Sequence, residues 1–223
     1  MKRTVLLPLL LLALAAAAPA ADLFSRDFAS GAYDPAGLLL WTGPTQDAWG
    51  RIATGDVPES LRPPGQALVF RSNTAAPKNC AVTFSAKIPP SPSAEPKVRR
   101  FRIRFLVPIV GQYRVDLHFG GNWDSNAAIL VLDSGFLNVW NPAKGFKAGP
   151  YEIEKWNDLL VEFDPAAKTY AVSLNGAALA NGLPWNDPKL AAVNDFLIVG
   201  DIGRTTADDT PTLYLASLSV SED

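Results

Sequence analysis

One cysteine and one histidine are all that the 223 residues supply of the side chains most used for metal binding and nucleophilic chemistry. Cys80 has no partner for a disulfide within the chain, and in Asn79-Cys80-Ala81-Val82 it reads as a small apolar residue opening a strand. Cys80 and His118 together are too few for a common zinc site. A Ser-His-Asp triad is not expected either, because His118 would be its only base and no Gly-x-Ser-x-Gly elbow occurs. An excess of one charge is also missing. There are 20 Lys and Arg against 22 Asp and Glu, and removal of a leader carrying Lys2 and Arg3 leaves 18 against 22. A chain so near neutrality has no sequence-wide hold on phosphate backbones, which argues against nucleic acid as a partner. Beyond the first twenty residues no segment sustains a helical stripe for three turns, and none reaches membrane-spanning length.

What is present begins with a three-part leader. Lys2 and Arg3 precede an apolar run from Val5 to Ala18, and Ala18-Pro19-Ala20 closes it with small residues. This order predicts a signal peptide over residues 1–20, cut before Ala21, and a secreted or periplasmic product without a membrane anchor. The remaining residues, 21–223, suit one domain with an ample core.

Period-two alternation dominates that domain. Phe101, Ile103, Phe105 and Val107 alternate with Arg100, Arg102 and Arg104, and Val115, Leu117 and Phe119 alternate with Arg114, Asp116 and His118. Turn chemistry separates further strands at Asp133-Ser134-Gly135, at Asp164-Pro165-Ala166-Ala167 and at Asn175-Gly176. Pro89 to Pro96 reads as an exposed loop between strands of the same domain. The pattern predicts an all-β fold, two stacked antiparallel sheets in a jelly-roll sandwich.

The run from Tyr151 through Trp156 to Asp164, followed by Lys168 to Gly176, resembles the concanavalin A-like lectin/glucanase superfamily, especially its laminin-G-like bacterial members. Phe196 to Asp201 and Leu213 to Val220 are similar to the closing strands of that fold, with an early Phe24 to Phe28 strand beside them. The resemblance implies a concanavalin A-like jelly roll and, since such folds serve lectins, glycosidases, lyases and adhesive modules, leaves the activity open.

Two enzymatic readings can be weighed against the residues. A retaining glucanase of the superfamily carries catalytic acids at strand spacing, and Glu152, Glu154 and Asp158 depart from that spacing. Alginate-type lyases are similar in three places: arginines on a strand (Arg100, Arg102, Arg104), Asp116-Leu117-His118, and Phe146-Lys147-Ala148-Gly149-Pro150-Tyr151. That resemblance implies a proton-transferring pair, His118 and Tyr151, but Asp116 stands where those enzymes carry Gln, and the Lys-Ala-Gly-Pro-Tyr segment comes early in the chain.

If the Arg102 strand and the Asp116 strand are neighbours, Arg102, Arg104, Arg114, Asp116 and His118 share one polar face, and Asn138 and Trp140 join it. Guanidinium, amide and indole groups side by side suit a sugar, which offers hydroxyls to fixed donors and a pyranose face to an aromatic ring. The expected function is an exported, non-catalytic glycan-binding or accessory domain with a polysaccharide partner. The alternatives are a divergent lyase or hydrolase and an adhesive module that binds protein. No cofactor is required, although Asp201, Asp208 and Asp209 are oxygen donors of the kind calcium takes.

Overall fold

The computed structural model describes residues 20–28, 38–41, 50–61, 66–72, 81–108, 114–121, 125–140, 145–201 and 211–223. The expected leader, Cys80, Asp208 and Asp209 lie outside them, apart from Ala20 at the leader's end. Fifteen strands occur among the described residues: β1 (Ala21–Asp27), β2 (Leu38–Trp41), β3 (Gly50–Asp56), β4 (Gln66–Ser72), β5 (Ala81–Lys87), β6 (Arg99–Leu106), β7 (Arg114–Phe119) and β8 (Ala128–Asp133). They continue with β9 (Phe136–Trp140), β10 (Phe146–Pro150), β11 (Trp156–Asp164), β12 (Thr169–Leu174), β13 (Ala177–Pro184), β14 (Asp195–Asp201) and β15 (Pro211–Glu222). One short 3-10 turn spans Glu59–Leu61.

These strands form two antiparallel sheets. The first runs β13-β12-β11-β6-β15-β4-β3, with β1 also paired to β15, and the second runs β10-β9-β8-β7-β14-β5-β2. Hairpins form where turn residues call for them. Ser134 and Gly135 take φ of 51° and 81° between β8 and β9, and Asn175 and Gly176 take 51° and 80° between β12 and β13, both residues of each two-residue turn in the left-handed region. Between β11 and β12 the Asp164 carboxylate accepts from the amides of Ala166 and Ala167, each at 2.9 Å.

The core lies between the sheets and is built by alternation. Phe101 from β6 and Phe163 from β11 meet Phe119 from β7 and Phe196 from β14; Phe101 stands edge-on to Phe119 and Phe163 at centroid distances of 5.2 and 5.6 Å. Burying rings from both sheets in one cluster fixes how the sheets face each other.

One expectation about pairing is corrected. β6 and β7 are consecutive but belong to different sheets: β6 pairs with β11 and β15, and β7 with β8 and β14. Arg102 and Arg104 therefore do not share a face with Arg114, Asp116 and His118. The strands that flank β6 come from far along the chain, and a period-two pattern carries no information about such partners.

Candidate functional site

The outer face of the second sheet gathers five of the seven candidate ligand-binding residues. Val115, Leu117 and Phe119 of β7 enter the core, so Arg114, Asp116 and His118 take the opposite face. β8 lies between β7 and β9, and its register sets three rows: His118 opposite Ile129 and Trp140, Asp116 opposite Val131 and Asn138, Arg114 opposite Asp133 and Phe136. Residues two strands apart in a row stand about 10 Å from one another, roughly the reach of a disaccharide.

This face is sheltered where a solvated one was expected. Ile129, Val131 and Val199 point away from the core cluster yet are almost fully buried, and His118 and Asp116 are buried beside them. The sequence carries a signal for this in the unbroken apolar runs Ala128-Ile129-Leu130-Val131-Leu132 and Phe196-Leu197-Ile198-Val199, the signature of strands covered on both faces. Towards β9 the shelter ends in a hollow of about 290 Å³ lined by Arg114, Val131, Asp133, Asn138, Trp140 and Gly145. Trp140, 40% exposed, is the one large hydrophobic side chain standing out into solvent among the described residues.

Charge and hydrogen bonding hold the floor in place. Arg114 and Asp116, two apart on one strand face, form a bidentate pair with Nε–Oδ1 of 2.7 Å and Nη2–Oδ2 of 3.1 Å. The guanidinium is partly exposed while the carboxylate is buried. His118 is pushed down to about 4, first by loss of solvent and then by the positive charge of Arg114. At neutral pH its imidazole is uncharged, with one nitrogen a donor and the other an acceptor. The Asn138 amide donates to the carbonyls of Val131 at 3.3 Å and Phe136 at 3.2 Å, which sets the plane of its side chain.

The remaining candidates lie elsewhere. Arg102 and Arg104 stand exposed on the outer face of the first sheet, Arg104 3.9 Å from Asp158 and 5.9 Å over the ring of Trp156. Tyr151 is buried inside the sandwich, edge-on to Phe105, and its hydroxyl accepts the Gly135 N–H at 3.2 Å. Burial raises its ionisation above the ordinary phenol range. The second sheet separates this ring from His118, so the proton-transferring pair suggested by the lyase resemblance is not assembled. A tyrosine after Gly-Pro that begins an alternating apolar series with Ile153 is read more simply as a core residue. Asp201 ends β14, opposite Arg114 in the ladder. Glu152 pairs with Lys155 at 2.6 Å, and Asp158 is exposed, in keeping with surface charges.

No family model and no curated protein matches the sequence. Solved structures do match the fold. A sialidase superposes with a TM-score of 0.60 at 12% identity over 91% of this chain, which spans only 18% of the sialidase. A carbohydrate esterase of the Shiga toxin-encoding bacteriophage phi24B gives 0.63 at 15% identity, covering 92% of this chain and 99% of the other. The GH16 of the Bacteroides ovatus mixed-linkage glucan PUL, in complex with its product, gives 0.59 at 12% identity, covering 89% and 99%. The protein has the concanavalin A-like jelly-roll architecture.

Proposed function

We propose that this protein is an exported glycan-binding or accessory domain, secreted or periplasmic, that holds a polysaccharide without turning it over. The observation that carries the reading is Trp140. A large aromatic ring exposed at the mouth of a 290 Å³ hollow, with Arg114, Asp133 and Asn138 around it, combines a stacking platform with fixed polar groups. The carbohydrate-directed names of similar structures, an esterase and a product-bound glucan enzyme, support the same class of partner.

The chemistry of the described residues favours binding over turnover. Elimination needs a proton acceptor and a donor at one sugar, and glycoside hydrolysis in most families uses two carboxylates facing the bond. The neutral His118 has the chemistry of an acceptor, but Tyr151 lies in the core, and the Asp116 carboxylate on the same strand face as His118 is held by Arg114. The test is a glycan array of neutral and acidic oligosaccharides followed by calorimetry on the binders. Trp140→Ala should weaken binding about 10-fold or more while Trp140→Tyr retains most of it. Affinity unchanged in Trp140→Ala, or unsaturated or reducing ends released from alginate, glucuronan, heparin-type or β-glucan chains, would overturn the reading.

A further inference from the structure

The outer face of the first sheet presents three arginines of β6 in parallel rows, and among the described residues only one of them, Arg102, has no carboxylate beside it. Arg100 sits opposite Glu162 and Ser221; its Nε donates to Glu162 at 2.7 Å and its Nη1 to Asp223. Arg104 sits opposite Asp158 and Ser217, with that acid 3.9 Å away. Arg102 sits opposite Leu160 and Ser219, and the row continues to Ser173 on β12 and Ser25 on β1. Its row therefore supplies hydroxyls and one apolar side chain, and no acid.

Side chains of the Arg102 and Arg104 rows line a hollow of about 530 Å³, bounded by Arg102, Arg104, Asp158, Ser173, Ser217 and Ser219, with the one acid, Asp158, on the Arg104 side. Small side chains on both flanks leave the exposed Arg102 guanidinium accessible from above, and the space is of the size that takes one or two sugar rings. A cation among hydroxyls, on an open sheet face where Arg100 is held by Glu162 and Asp223 and Arg104 has Asp158 beside it, is arranged to receive a single negative group together with the hydroxyls attached around it.

We propose that this face is a second glycan subsite, selective for a sugar bearing an anionic group, a carboxylate or a sulfate ester, which docks on Arg102 while Ser173, Ser217 and Ser219 meet its ring hydroxyls. Planar guanidinium accepts either group through paired N–H donors. The proposal extends the glycan reading to the opposite sheet, and it does not depend on Trp140. One acidic chain binding both faces would lie around the sandwich edge or bridge two molecules.

The test is calorimetry with an oligogalacturonate, a heparin-type oligosaccharide, a neutral β-glucan oligosaccharide, an oligoglutamate and inorganic sulfate. The wild type should bind one or both acidic oligosaccharides in a salt-sensitive manner, and which of the two it prefers identifies carboxylate or sulfate as the recognised group. Arg102→Gln should lower that affinity at least 10-fold and leave Trp140-dependent binding within twofold. Arg100→Gln removes the same charge from the same strand, but from a side chain already held by two acids, and should change acidic-glycan affinity less than threefold. Circular dichroism checks the fold of each variant. Equal losses in both arginine variants would reduce the effect to net charge and overturn the subsite. Oligoglutamate or free sulfate binding as tightly as the sugars would overturn its glycan selectivity, and no binding of either acidic sugar would overturn it outright. Loss of acidic-glycan binding in Arg102→Gln alongside full binding in Trp140→Ala would leave this subsite standing while the Trp140 reading fails.

Discussion

Removing the Glu222 carboxylate should cost the protein a large part of its stability. Arg99 opens β6 on the same side as Phe101 and Ile103, so its guanidinium enters the end of the sandwich; Glu222, opposite it on β15, enters with it. The two side chains keep 5% and 2% of their surface, and Arg99 Nε lies 2.6 Å from Glu222 Oε1. Arg99 Nη1 also donates to the Val193 carbonyl at 2.8 Å and to Asn194, while Ser91 from the proline-rich loop donates to the second Glu222 oxygen at 2.7 Å. Glu222→Ala leaves a buried guanidinium without its counter-charge, a loss of about 3 to 5 kcal/mol. For a chain of this size each kcal/mol lowers the melting temperature by about 2 to 4 °C, so the drop should fall between about 6 and 20 °C. The double variant Arg99→Met, Glu222→Leu removes both charges and should recover most of the loss, because a paired charge repays little more than its own desolvation. Scanning calorimetry and urea unfolding measure all three proteins. A single variant that loses under about 1 kcal/mol, or a double variant no better than the single, would refute the argument.

The pH dependence should carry the mark of His118. Its folded value of about 4 lies below the ordinary 6.5, so between these values the unfolded chain binds a proton that the folded one does not. The contribution is fully present above about pH 6.5 and is lost as pH falls towards 4, about 3 kcal/mol in all. His118→Leu should remove that part of the slope in unfolding free energy measured from pH 7 to 4; an unchanged slope would contradict it. Phe101→Ala opens a hole where rings from both sheets meet and should cost about 3 to 5 kcal/mol by urea unfolding, without moving the surface residues of either face. Gly121→Ala places a Cβ 2.1 Å from the Ser125 carbonyl oxygen at a φ of +147° and should cost about 2 kcal/mol or more, whereas Gly176→Ala, at +80° with open space around it, should cost about 1 kcal/mol. Comparable melting temperatures for the two glycine variants would sink that contrast.

Much of the architecture was legible in the residues themselves. Alternation separates Phe101, Ile103 and Phe105 from Arg102 and Arg104, and it separates Leu117 and Phe119 from Asp116 and His118; the sheets keep both divisions because side-chain direction in a strand depends only on local backbone geometry. The Ser134-Gly135 and Asn175-Gly176 turns are local in the same sense, since two residues in the left-handed region leave the chain little choice but to reverse. The jelly-roll class followed from these features together. Tertiary structure alone decided which faces belong together. β6 takes its neighbours from β11 and β15, one about fifty residues away and the other more than a hundred, so Arg102 and His118 lie on opposite outer surfaces although only fifteen positions separate them. It also decided that Tyr151 fills the core behind the sheet that carries His118, and that the outer face of β7 is sheltered. Both outcomes depend on pairing and packing between segments distant in the chain, where the free energy of burying apolar surface selects among partners that all present the same period-two pattern.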